Sequence, residues 1–163
     1  MQTSEEGRKF IETWERLFLQ SYDDATERVV GPGDKVYGVL TIGWGHTSEA
    51  GPPAVYPGMK ISESEADEIM ASDLRSVEIE VNHFIGAHLL TQAQFDALVS
   101  FHFNTGGLGR SSVLRDIQSG NFENVPADLA LWNKAGGKVL RGLVKRRHAE
   151  GEMFSKGIYN AEH

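Results

Sequence analysis

The chain has no cysteine among its 163 residues, so no disulfide, thiolate nucleophile or cysteine-bound metal contributes, and the fold can form in a reducing compartment. It also lacks any apolar run long enough to span a bilayer or form the core of a signal peptide, and its N-terminus, M-Q-T-S-E-E-G-R-K-F, is polar and acidic. Stable membrane insertion is therefore not expected, and action outside the cytoplasm needs a separate route of release. Basic residues are in deficit. A formal net charge of -7 excludes a general nucleic-acid binder, which needs surplus Lys and Arg to neutralise phosphates. The histidines at 83, 88, 102, 148 and 163 have no metal-ligand spacing, and the A-G-G-K segment from Ala135 to Lys138 reads as a turn without the spacing of a phosphate-cradling loop. No metal and no cofactor is expected.

What is present fits one domain with a sizeable core. Ser4 caps a first helix whose apolar face, Phe10, Ile11, Trp14, Leu17 and Phe18, runs at helical spacing. The period stops at Tyr22. Val29 with Val30 and Val36 to Ile42 then read as the two strands of a hairpin with Gly31 to Asp34 at its tip. Gly43 and Gly45 flank Trp44 and permit a close backbone approach. Pro52, Pro53 and Pro57 mark an irregular loop.

Ser62 with Glu65 forms a capping box that opens a long helix to Phe84, striped by Ile69, Met70, Leu74, Val77 and Val81. Thr91 with Gln94 opens a second helix that is apolar on all sides and ends at Asn104, Gly106 and Gly107. Shorter helical pieces follow over Ser111 to Gln118, Pro126 to Asn133 and Leu143 to Phe154. Trp132 reads as a core residue before a sugar platform. Lys134, Lys138, Arg141, Lys145, Arg146 and Arg147 occur with no acid among them, as a solvated helix face or as a patch for an anionic polymer.

Glu15 lies at the end of the first helical run amid Trp14, Phe18 and Leu19, where partly apolar surroundings favour a usable acid. Asp24 lies in a polar, turn-forming stretch where a carboxylate stays ionised. Two carboxyls in unlike environments suit glycoside hydrolysis, one protonating the leaving oxygen and the other serving water or the cationic centre. Glu15 is equally readable as a border residue of an amphipathic helix.

Five ordered segments, W-E-R-L-F-L-Q-S-Y-D-D, T-I-G-W-G-H-T, P-G-M-K-I-S-E-S-E-A, Q-F-D-A-L-V-S-F-H-F-N-T-G and A-G-G-K-V-L-R-G-L-V-K-R-R, resemble the phage-type lysozymes over nearly the whole chain. The resemblance implies an α+β, mainly helical, two-lobed lysozyme-like fold. Its single domain would hold a hairpin lobe over about 15–60, a connecting helix over 62–84, and a helical lobe from 85–163 with the first helix. It implies a muramidase that hydrolyses the β-1,4 bond between N-acetylmuramic acid and N-acetylglucosamine in bacterial peptidoglycan, usually with inversion. Glu15 would be the general acid, Asp24 the group serving the attacking water or the cationic centre, and Thr41 the hydroxyl holding that water. Asp23 competes for the second role.

Asn104 and Gly106 are the expected substrate-binding residues, walls of a cleft between the lobes. His46 and Asp73 match a structural ion pair of the family. Two departures stand out: an insert over about Ala25 to Val36, and Arg16 where a glycine often follows the glutamate. A monomer that accumulates in the host cytoplasm until a holin opens the membrane is the expected setting. The rival readings are a lytic transglycosylase on the same bond and a non-catalytic glycan-binding module.

Overall fold

The computed structural model of the chain describes residues 1–162. Among the described residues, six α-helices accompany a four-stranded antiparallel sheet and a two-stranded ribbon, an α+β architecture. Two compact units emerge, one formed by residues 15–75 and the other by 1–14 with 76–162 among the described residues.

In the 15–75 unit, β1 (Phe18–Asp23) is the central strand, paired antiparallel with β2 (Arg28–Val29) and β3 (Leu40–Gly43), while β4 (His46–Thr47) extends β3. This corrects the helical reading of Leu17 and Phe18: α1 (Glu5–Trp14) stops before them. The cause is an irregular pairing. Phe18 faces Gly43 and Tyr22 faces Thr41, so β1 spends four residues where β3 spends two. Four residues of a regular strand span about 13 Å, yet here the Phe18 and Tyr22 rings stack with centroids 3.8 Å apart. A bulge thus produces the four-residue apolar spacing that a helix would also give.

The hairpin reading needs the same correction, since Val29 pairs with Tyr22 and not with the 36–42 segment. The edge of β1 that meets β2 is continued by residues 59–61, through Ser21 N–H to Met59 O at 3.0 Å and Ile61 N–H to Leu19 O at 2.9 Å. Ile42, Met59, Ile61 and Ala66 form the small core, with Leu17, Trp44, Val55 and Ile69 against it.

α2 (Glu63–Ile85) carries its capping box, with Glu65 N–H donating to Ser62 Oγ at 3.1 Å and Ser62 N–H to Glu65 Oε1 at 3.2 Å. The division between the units falls within this helix, after Arg75.

The other unit is built around α3 (Gln92–Thr105), whose residues 95–102 are all buried. Thr91 and Gln94 cap its start reciprocally, and Gly106 ends it in the left-handed region at φ 61°. α1 and α6 (Arg141–Lys156) pack on α3, while α4 (Ser112–Gln118) and α5 (Val125–Ala130) pack together and α5 rests on α6. The A-G-G-K turn joins β5 (Lys134–Ala135) to β6 (Lys138–Val139). Asp96, fully buried, binds the N-terminal segment by accepting from Ser4 N–H at 3.1 Å and Ser4 Oγ at 2.5 Å, and the segment after α6 by accepting from Tyr159 OH at 2.7 Å. Burial, then that bond to Asp96, raises the Tyr159 hydroxyl above the usual phenol range.

Candidate active site

Glu15, Asp24 and Thr41 all belong to the 15–75 unit. Glu15 follows the last residue of α1 and is half-buried. It lies beside the β3–β4 turn, where a Cβ built on Gly45 would sit 3.8 Å from Glu15 Oε2. Gly45 has φ 85°, so the turn needs glycine for its backbone, and the bare Cα leaves space beside the carboxylate.

Asp24 and Thr41 are gathered at one residue. Asp24 N–H donates to Val39 O at 3.1 Å, and Val39 N–H donates back to Asp24 Oδ1 at 2.6 Å. Thr41 Oγ1 donates to the same Val39 O at 3.0 Å, which leaves the hydroxyl lone pairs as acceptors. Thr41 is buried on β3 and Asp24 is exposed. A Cβ on Gly38 would overlap both the Asp24 carboxylate and Ala25, so glycine is required there for the loop to close over Asp24.

Asp23 has a different occupation. It is buried, and its carboxylate accepts from Tyr37 N–H at 2.6 Å, Gly38 N–H at 2.9 Å and Ala25 N–H at 2.9 Å. These donors, Tyr37 first, hold its carboxyl below the usual carboxylate range although burial opposes them. Asp23 therefore closes the inserted loop on itself. The other departure touches the same loop, for Arg16 Nη1 meets Glu27 Oε2 at 3.2 Å while its guanidinium lies 5.0 Å from the Phe18 ring centroid.

Tyr22 escaped the sequence reading. It stands opposite Thr41 across the β1–β3 pair, and its hydroxyl is raised by burial first, then by the charges of Asp24 and Glu15. The one signal was its place two residues before Asp24.

His46 and Asp73 do come together: Nδ1 lies 2.8 Å from Asp73 Oδ2, and Nε2 lies 2.8 Å from Pro53 O. Both ring nitrogens face acceptors, so only the imidazolium donates to both. Burial raises the Asp73 carboxyl against the opposing pull of His46.

In the other unit Asn104 is exposed and its Oδ1 accepts from Arg147 Nη2 at 2.8 Å, while Gly106 supplies the turn that ends α3. Trp132 is half-buried, edge-on to Phe101 at 5.3 Å between centroids, so it is only partly a core residue. Among the described residues no group of acids and histidines could hold a metal ion.

The phage lysozyme family model matches residues 12–150. The chain belongs to the phage lysozyme family. Within it, this lysozyme-family chain is 36% identical over 159 residues to the endolysin of Bacillus phage B103, covering 96% of the chain and 55% of that protein. It thus spans about half the length of the Bacillus phage endolysins it matches. Among solved structures, the endolysin from Escherichia coli O157:H7 phage FAHEc1 superposes with a TM-score of 0.81 at 30% identity, covering 98% of this chain and 97% of that one. The muramidase domain of SpmX from Asticaccaulis excentricus gives 0.77 at 28% identity, covering 95% and 98%. The lysozyme-like α+β fold of the phage lysozyme family is thereby shown for this chain.

Proposed function

We propose that this phage lysozyme-family chain is a muramidase that hydrolyses the β-1,4 bond between N-acetylmuramic acid and N-acetylglucosamine in bacterial peptidoglycan. Glu15 donates its proton to the glycosidic oxygen as the bond to the anomeric carbon breaks. A water accepted by Thr41 Oγ1 and Asp24 attacks that carbon from the opposite face, and Asp24 takes the water's proton, which leaves an inverted sugar. The observation that carries this reading is the sharing of Val39 by Asp24 and Thr41 while both oxygens of buried Asp23 are engaged by backbone donors. Asp24 is the acid with capacity left for water.

Digestion of purified cell-wall glycan followed by mass spectrometry tests the reaction. Reducing ends are expected, and anhydro-muramyl ends would replace hydrolysis by a transglycosylase reading. Glycan release by Glu15→Gln at the wild-type rate would remove Glu15 from the acid's role, and no release by the wild-type chain would leave only a binding module. Asn104 and Gly106 complete the proposal as substrate-binding residues. The protein acts as a monomer and reaches the wall through a holin-type pore; lysis on expression without any pore-forming partner would refute that route. No helix among the described residues is long and apolar enough to cross a membrane.

A further inference from the structure

The insert between Asp24 and Thr41 carries an open aromatic ring on a fixed backbone. Tyr37 is 69% exposed, so its ring contributes little to any apolar core, yet the peptides around it are tied down. Tyr37 N–H donates to Asp23 Oδ2 at 2.6 Å and Gly38 N–H to Asp23 Oδ1 at 2.9 Å, and Asp23 is itself buried. The next peptide is held by the other acid, since Val39 N–H donates to Asp24 Oδ1 at 2.6 Å. On the other arm of the insert Val30 is buried, and its N–H donates to Ser21 O at 2.9 Å. Both arms are therefore anchored to β1.

The ring is also close to the proposed chemistry. Tyr37 is one residue from Gly38, where any Cβ would overlap the Asp24 carboxylate, and consecutive Cα atoms are only about 3.8 Å apart. A short stretch of glycan running past Asp24 meets such a ring. Lys35 Nζ lies 4.8 Å from the ring centroid, so one face is covered by a cation and the high exposure belongs to the other.

A tyrosine fixed in this way offers a flat apolar face with a polar tip, and engaging it orders only two side-chain torsions. A pyranose is complementary to it. In a β-1,4-linked N-acetylhexosamine the ring substituents are equatorial, so each face is lined by axial C–H groups while the polar groups lie on the rim. We propose that Tyr37 is a stacking platform for a pyranose of the glycan strand next to the reacting sugar, a subsite supplied by the insert. This rests on the glycan reading above and adds to it a binding residue on a segment that departs from the family pattern. Asp24 and Thr41 serve the sugar that reacts; Tyr37 holds its neighbour.

The test reads binding without cleavage. A peptide-free oligomer of alternating N-acetylmuramic acid and N-acetylglucosamine is titrated into Glu15→Gln protein, followed by the NMR signals of the Tyr37 ring and by Kd. The ring signals are expected to shift. Tyr37→Ala in the same background should weaken Kd about tenfold, whereas Tyr37→Phe should keep it, because the ring face and not the hydroxyl makes the contact. Both substitutions retain the N–H that Asp23 accepts, so Tm is expected to hold in each. Unmoved ring signals, a Tyr37→Ala Kd equal to its parent's, or an equal loss in Tyr37→Phe would overturn the proposal. With Glu15 restored, Tyr37→Ala should raise KM about tenfold and leave kcat in place. A fall in kcat at unchanged KM also overturns it. Cleavage by the Glu15→Gln protein would appear as new reducing-end signals in the same spectra and would defeat the role given to Glu15, while the Tyr37 ring shifts report stacking alone, so the two failures are distinguishable.

Discussion

The two units are held by different means. The helical unit has a conventional apolar interior, with Phe95, Leu98, Phe101, Leu108, Ile117, Leu129 and Met153 fully buried. The 15–75 unit has a small apolar cluster of Ile42, Met59, Ile61 and Ala66, and its loops are pinned by carboxylates that collect backbone N–H groups: Asp23 on three, Asp24 on Val39, Asp34 on Gly31. Apolar burial is tolerant of small displacements, whereas a short hydrogen bond fixes an atom's position. The proposed chemistry therefore sits where directional bonds set the geometry, and substitutions should separate the two units by what they damage.

The largest effect is expected at Glu15. Removing a general acid costs roughly a hundredfold to ten-thousandfold in rate, so Glu15→Gln should abolish turbidity clearing of cell walls with little change in Tm. A fall in Tm matching the loss of activity would instead make Glu15 a structural residue. Next comes the opposite behaviour in the helical unit. Phe95→Ala should cost about 3–5 kcal/mol in urea unfolding, with the surviving folded fraction keeping its kcat. If kcat collapses at temperatures where the variant is fully folded, the separation is broken.

Asp23 and Asp24 sharpen the comparison inside one unit. Asp24→Asn should lose activity while Tm holds, and Asp23→Asn should lower Tm, with activity lost through the loosened loop. Because the donors on Asp23 depress its folded-state pKa below the ordinary 3.8, its stabilising contribution is present above that value and fades as pH falls through the lower folded value. Asp23→Asn should accordingly flatten the acid limb of the Tm-against-pH curve below about pH 4. An unaltered limb would mean the three bonds contribute nothing. The smallest effect is at Arg16, whose exposed pair with Glu27 is worth about 0–1 kcal/mol. Arg16→Gln should move Tm by no more than a few degrees, and a larger drop would show that the inserted loop hangs on that pair.

These contrasts also explain what could be read from the chain alone. Both capping boxes, Ser62 with Glu65 and Thr91 with Gln94, announced helices that begin where expected, because a cap is a local interaction among four residues. The all-round apolar Gln92–Thr105 segment announced the centre of the helical unit for the same reason. β1 was hidden. Phe18, Leu19, Gln20, Ser21 and Tyr22 have no alternation, and the bulge gives the stacked aromatics a helical interval. Tertiary pairing with residues 40–43 and 59–61 decides the strand, and nothing local records it.

Likewise, the difference between Asp23 and Asp24 depends on where the N–H groups of Tyr37, Gly38 and Val39 fall, fourteen or fifteen residues away. Two adjacent aspartates look alike until a distant loop chooses between them. Trp132 was misjudged by degree, because a ring that is buried on one edge and open on the other satisfies both the core and the platform reading.

Asp24 and Thr41 take their spacing from the peptide units on either side of Val39, and while Ala25, Arg28 and Val29 are tied to β1, the tip over Gly31 to Asp34 lies outside that arrangement. Length there is consequently free to drift: a lineage can splice residues into the tip or trim them away without retuning the gap between carboxylate and hydroxyl. The tip is thus the natural place to graft a binding epitope or reporter, with Gly38 as the landmark beyond which the chain must not be altered.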